Sequence, residues 1–92
     1  MKYEIKYASK FKKDIKIAKK QGKDMEKLLA IVNKLACGEI LDAKYRDHAL
    51  SGNYVGFREC HIEPDWLLIY EIIDEVLVLV LSRLGSHSEL FK

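Results

Sequence analysis

Ninety-two residues, 49% of them hydrophobic with one Pro and five Gly, suffice for one compact domain with a modest core and leave no room for a second, so residues 1–92 read as a single domain. The formal net charge is only +2, but residues 1–37 hold 11 Lys against 4 acids (+7) and the remainder 5 basic against 10 acidic residues (−5). Positive potential is therefore concentrated on one part of the fold, which points to a polyanionic partner. The start, Met1-Lys2, runs into alternating polar and apolar residues rather than a signal-peptide core, and the longest aliphatic run, Val76 to Leu81, is too short to span a bilayer. A cytoplasmic protein is expected, in which Cys37 and Cys60, 23 positions apart and in no CxxC pattern, stay reduced.

In chain order, Lys2-Tyr3-Glu4-Ile5-Lys6-Tyr7 alternates with period two and predicts a strand. From Ser9, a suitable N-cap, Phe11, Ile15 and Ala18 recur at helical spacing among Lys10, Lys12, Lys13, Lys16, Lys19 and Lys20, giving a basic amphipathic helix. Gln21-Gly22-Lys23 breaks it and Asp24 can cap a second helix. Its apolar stripe is Met25, Leu28, Leu29, Val32, Leu35 and Ala36, with Gly38 just past the end. So short a break implies an antiparallel pair whose apolar faces cover a sheet. Tyr54 to His61, Trp66 to Ile73 and Val76 to Arg83 supply the strands. Glu63-Pro64-Asp65 and Asp74-Glu75 separate them, so a three-stranded antiparallel meander is the simplest pairing. Val76 to Leu81, apolar on both faces, is expected to be central. Ser86-His87-Ser88-Glu89 matches a capping box and places Leu90 and Phe91 on a short terminal helical turn. The class is α+β.

The three histidines lie in polar surroundings: Asp47-His48, Cys60-His61-Ile62-Glu63-Pro64-Asp65-Trp66 and Ser86-His87-Ser88. Imidazole can both take and give a proton near neutral pH. Val55, Phe57, Glu59 and His61 share one face of their strand and Gly56, Arg58 and Cys60 the other. Arg58, Glu59 and His61 so close together argue that one face opens onto a cleft, since burying unpaired charge is costly. The following turn is expected to bring Asp65 back near His61. Intervals of 12 and 25 residues between the histidines, with neither HExxH nor paired CxxC, argue against a structural zinc. There is no phosphate loop and no GxSxG elbow. Neither a metal nor another cofactor is expected. Metal-free RNA cleavage fits the residue types: a base for the ribose 2′-OH, an acid for the leaving oxygen, Arg around the phosphate, and Trp66 or Phe91 to stack an unpaired base.

The run Tyr45-Arg46-Asp47-His48-Ala49-Leu50-Ser51-Gly52, the segment Gly56-Phe57-Arg58-Glu59-Cys60-His61-Ile62-Glu63-Pro64-Asp65-Trp66-Leu67-Leu68-Ile69-Tyr70, and the ending Arg83-Leu84-Gly85-Ser86-His87-Ser88-Glu89-Leu90-Phe91 closely resemble the YafQ branch of the RelE superfamily. The resemblance implies two N-terminal antiparallel helices packed on a twisted antiparallel sheet. It also implies a type II toxin: a ribosome-dependent endoribonuclease that cuts mRNA in the ribosomal A site, inhibits translation and is neutralised by a cognate antitoxin. Carried onto this chain, it implies His48, His61, Asp65 and His87 as the catalytic set, Trp66 and Phe91 as residues shaping the site, and Arg58 and Arg83 as phosphate contacts. His61 with Asp65 is expected to activate the 2′-OH and His87 to protonate the leaving oxygen, with His48 able to exchange roles with either. Glu59 is a further participant or a salt-bridge partner of Arg58. The helix lysines then serve contact with ribosomal RNA. The competing reading is a non-catalytic binder on the same fold, as in ParE-type gyrase inhibitors, or a paralogue that sequesters antitoxin.

Overall fold

A computed structural model describes residues 1–91. The first strand, β1 (Glu4–Tyr7), is shorter than the alternation predicts and leads into α1 (Ser9–Lys20). Ser9 is the first helical residue rather than the cap; Ala8 holds the cap position and no side chain bonds the first turn. α1 buries Phe11, Asp14 and Ala18, a stripe at spacings of three and four residues. All six lysines named above face solvent. α2 (Met25–Ala36) begins where the Asp24 carboxylate accepts the Glu26 N–H at 3.0 Å, a cap worth about 1 kcal/mol. It ends before Gly38, whose φ of 77° is open to glycine at little cost. The stripe differs by one turn position from the expected one, with Ile31 2% and Leu29 59% exposed. Leu28, Ile31, Val32, Leu35 and Ala36 follow a three-one-three-one spacing that Leu29 breaks.

The remaining strands are β2 (His48–Ala49), β3 (Arg58–Glu63), β4 (Trp66–Ile73) and β5 (Val78–Gly85), in the spatial order β1-β5-β4-β3-β2. Two predicted strands start late. Tyr54 belongs to a 3-10 turn over Gly52–Tyr54, and Asp74–Val76 forms another that ends at Leu77 with φ 52°. The three-stranded meander of β3 to β5 is antiparallel as expected, β2 adds an unforeseen fourth antiparallel strand at its edge, and β1 pairs with β5 in parallel. The sheet is thus mixed. β1 and β5 are separated in the chain by both helices and the whole β2–β4 meander, the kind of long connection that parallel neighbours require in place of a tight turn. β5 is interior as expected, flanked by β1 and β4, while β4 is the middle strand of the five, with Trp66 to Tyr70 buried without a break.

Alternation along the strands sends side chains to two unequal cores. On one face α1 covers β5 and α2 covers β3. Phe11, Ile31, Cys60, Trp66, Leu68, Tyr70, Leu79 and Leu81 there are at most 2% exposed, each large side chain stabilising by about 1.5–3 kcal/mol. On the other face Leu67, Ile69 and Leu90 form a small cluster with Leu50, Tyr54 and Phe57, lidded by α3 (His87–Leu90). The predicted capping box is present: the Ser86 hydroxyl accepts the Glu89 N–H at 3.3 Å and the Glu89 carboxylate accepts the Ser86 N–H at 2.8 Å. Phe91 follows the helix rather than belonging to it. A Cβ at Gly85 would stand 3.1 Å from Glu89 Oε1 and 3.3 Å from Leu90 Cδ2, so glycine there lets α3 fold back onto the sheet. No helix among the described residues is long and apolar enough to cross a membrane.

Candidate active site

Two-residue alternation in β3 turns Glu59 and His61 onto the face opposite the helices, alongside Leu67 and Ile69 of β4. The β2 register sets His48 directly opposite Glu59, and the β5-to-α3 junction delivers His87. The three imidazoles come together, with ring centroids 6.3 Å apart for His48 and His61 and 5.6 Å for His61 and His87. Phe91 continues the row 6.2 Å from His87, braced edge-on by Tyr54 at 5.4 Å.

Each ring is held through Nδ1. His48 Nδ1 lies 2.6 Å from the Arg46 carbonyl, His61 Nδ1 3.2 Å from the Pro64 carbonyl, and His87 Nδ1 3.0 Å from Asp65 Oδ1. These oxygens can only accept, so each Nδ1 carries the proton and donates it, leaving Nε2 as the reactive nitrogen. Two of these nitrogens, of His48 and His61, lie 3.5 Å from the same Glu59 oxygen. Glu59 is only 4% exposed. The Arg46 carbonyl is aimed by a left-handed backbone, φ 48° and ψ 42°, a conformation held at functional sites when the surroundings demand it.

Asp65 is drawn to His87 and not to His61 as expected. Its Oδ1 accepts both the His87 backbone N–H and the ring Nδ1–H, each at 3.0 Å, since two donors at a helix start outcompete one imidazole across the turn. The backbone N–H first, then the ring, hold the Asp65 carboxyl below its ordinary range. The capping bond from the Ser86 N–H does the same for Glu89.

The other predicted site residues are placed differently. Arg58 lies on the helix face of β3, its Nε 3.4 Å from Asp47 Oδ1, away from the imidazoles because it alternates with Glu59. Burial opposes its charge, but the Tyr70 hydroxyl and Asp47 leave the guanidinium above its ordinary range. The Tyr70 hydroxyl donates to Asp47 at 2.5 Å, and burial, then Asp47, push its pKa upward. Arg83 donates from Nε and Nη2 to Asp14 at 2.9 and 3.3 Å, and that bond raises its pKa. Nη1 is the nitrogen outside this pair. Trp66 is 1% exposed in the helix-side core, with Nε1 lacking a hydrogen-bond partner. It is no stacking platform, because alternation from Asp65 turns it inward, where the Lys23 ammonium lies 5.8 Å from its ring centroid. Both cysteines are free; burial pushes the Cys60 thiol up to about 12, while Cys37 is exposed.

Sequence reasoning missed Asp14, Tyr54 and Tyr70. The signal for Asp14 was present: one acid in the apolar stripe of a lysine helix at the spacing of Phe11 and Ala18. Donor atoms of Glu59, His61 and His87 lie within 4.8 Å of one another, so these three residues could hold a divalent cation, a convergence that chain spacing conceals.

A helix pair covers one face of a mixed five-stranded sheet, and three imidazoles gather on the other around a buried carboxylate. Residues 3–92 match the model of the family described as bacterial toxin of type II toxin-antitoxin system, YafQ. The chain is 42% identical over 89 residues, 96% of its length and 95% of the relative's, to the mRNA interferase toxin YafQ of Escherichia coli K12. A crystal structure of the E. coli DinJ-YafQ complex superposes with a TM-score of 0.89 at 41% identity, covering 98% of this chain and 99% of that one. A metal-bound toxin from Helicobacter pylori gives 0.91 at 48% identity, covering 99% and 100%. The chain belongs to the YafQ family of type II toxins, and membership carries the activity class, an endoribonuclease.

Proposed function

We propose that this toxin cleaves mRNA in the ribosomal A site by metal-free acid-base catalysis. The observation that carries the reading is the anchoring of all three imidazoles through Nδ1 around one buried carboxylate. His61, donating to a carbonyl, offers the Nε2 lone pair as base. It takes the proton of the ribose 2′-OH, and Glu59 at 3.5 Å stabilises the imidazolium that forms. The 2′-oxygen bonds to phosphorus as the P–O5′ bond breaks, and protonated His87 gives its Nε2 proton to the departing oxygen while Asp65 fixes its ring. The products are a 2′,3′-cyclic phosphate and a 5′-hydroxyl. His48 shares Glu59 with His61 and can relay the proton. Phe91, 40% exposed, offers a stacking face. Arg83 reaches phosphate from Nη1, and Arg58 supports the site by holding Asp47 next to His48.

The exposed lysines of α1 contact ribosomal RNA, a sequence-tolerant interaction that weakens steeply with salt. A cognate antitoxin neutralises the toxin, as the complex of the E. coli relative with DinJ suggests. A divalent cation on Glu59, His61 and His87 would engage the lone pairs the acid-base steps require, so it inhibits.

The test is translation of a defined mRNA with wild type and His87→Ala, mapping 5′ ends by primer extension. Ribosome-dependent cuts that the variant loses are expected, each positioned proton donor contributing about 10²–10⁴-fold. A folded wild type that leaves mRNA intact favours the non-catalytic binder, and 5′-phosphate products overturn the mechanism.

A further inference from the structure

Beside the imidazole row, between α2 and the turn that carries Arg46, a cavity of about 450 Å³ is lined by Lys27, Lys44, Tyr45, Arg46, His61 and Pro64, with Ile31 and Ile62 at its floor. Three cations and one acid, Glu63, border one aromatic side chain and two buried aliphatic ones. The volume accommodates a nucleoside with its phosphate, and the chemistry is that of a nucleotide subsite: apolar floor, ring wall and cationic rim.

We infer that this cavity receives the nucleoside that supplies the attacking 2′-OH, so that its walls select the base on the 5′ side of the cut. The inference rests on the ribonuclease reading and deepens it. His61 is the geometric link: it lines the cavity and also stands beside Glu59 in the imidazole row. A ribose whose 2′-OH reaches His61 therefore has its base within reach of the cavity. Tyr45 is half-buried, packed against the main core on one side, with the exposed Lys44 ammonium 5.1 Å from its ring centroid on another. A flexible, solvated cation over a ring leaves that face exchangeable for a base, and the ammonium can then move to the phosphate. Lys27 is held at the rim by Glu63 at 3.1 Å.

Arg46 connects the cavity to the reacting groups. Its side chain lines the cavity while its carbonyl holds His48 Nδ1 at 2.6 Å. Its left-handed φ of 48° allows both, since an ordinary right-handed backbone would turn the carbonyl elsewhere. Arg46 is thus a positioning residue, through which an occupied cavity steadies His48.

The experiment pairs a binding map with a cleavage map. Dinucleotides carrying a 2′-deoxy sugar at the first position cannot be cut, and they are titrated into 15N-labelled toxin. Shifts at residues 27, 31, 44–46 and 61–63 are expected, with binding weakened about tenfold in Tyr45→Ala, equivalent to one lost base-aromatic stack. In ribosomal cleavage, Tyr45→Leu and Lys44→Gln should redistribute cuts among codons while His87-dependent cleavage persists. Shifts confined to His48, His87 and Phe91, or a cleavage profile unchanged in both variants, overturn the subsite. If wild type cuts nothing, the ribonuclease reading and the subsite fall together. A circular dichroism spectrum matching wild type shows that a weakened variant is folded.

Discussion

Asp14 offers the sharpest test of how the fold supports the site. Its carboxylate, 7% exposed, accepts three bonds: Arg83 Nε at 2.9 Å, Arg83 Nη2 at 3.3 Å and the buried Leu84 N–H at 2.9 Å. Asp14→Ala removes all three acceptor contacts and leaves a buried amide and a guanidinium unpaired. Breaking a fully buried pair from one side costs about 3–5 kcal/mol. The Arg83 side chain is 24% exposed, so water recovers part of this, and about 3 kcal/mol is expected, the amide accounting for about 1–2 of it. For a chain of this size with a urea m-value of about 1–1.5 kcal/mol/M, the unfolding midpoint falls by about 2–3 M. Leu84 lies two residues before Ser86, so the amides from Leu84 to His87 should also exchange faster with deuterium. Asp14→Asn, which keeps an acceptor for the Leu84 N–H, should recover roughly a third to a half of the loss. A midpoint shift below about 0.5 M with unchanged exchange at Leu84 would show that the anchor is ornamental and refute the reasoning.

Asp65 is held below the ordinary carboxylate range by the two N–H groups of His87. Its contribution is therefore complete above the unfolded value and is lost as pH falls through the lower folded value, so α3 should loosen only in acid, below about pH 4. NMR of the His87 amide checks this, and persistence of the transition in Asp65→Asn would reassign it. With Cys60 pushed up to about 12 by burial and Cys37 exposed, iodoacetamide at pH 8 should label one thiol in the native protein and two in urea; native labelling of both would contradict the packing. Replacing Lys12, Lys13 and Lys16 with Gln should weaken ribosome binding and flatten its salt dependence by up to about three counterions while leaving the melting temperature within a few degrees. Unchanged binding would return that face to mere solvation. Zinc ions should bind wild type in calorimetry and lose most of that affinity in His61→Ala, whereas equal affinity in both would remove the Glu59-His61-His87 chelate.

The elements that the sequence foretold best are those whose signals are local. The lysine-flanked stripe of α1, the Asp24 cap, the Glu63-Pro64-Asp65 turn and the Ser86/Glu89 capping box depend on neighbours within one helical turn or one hairpin, and all appear in the fold. Strand alternation correctly put Glu59 and His61 on one face, and the motif resemblance placed the chain in its family. The starts of β3 and β5 were misjudged because apolar residues such as Val55 and Val76 continue a strand-like pattern into turns where they remain 75% and 64% exposed.

Composition, helix periodicity and hairpin chemistry thus determined an α+β fold with a basic helix and three histidines in polar surroundings. Partner choice belonged to the tertiary structure. Asp65 bonds His87 rather than His61, Glu59 joins His48 to His61 across β2 and β3, and Arg83 is claimed by Asp14, 69 positions away. The reason is physical: a carboxylate settles where most donors converge and least water competes, and that location exists only once sheet order, register and the return of α3 have been fixed by burying the two cores.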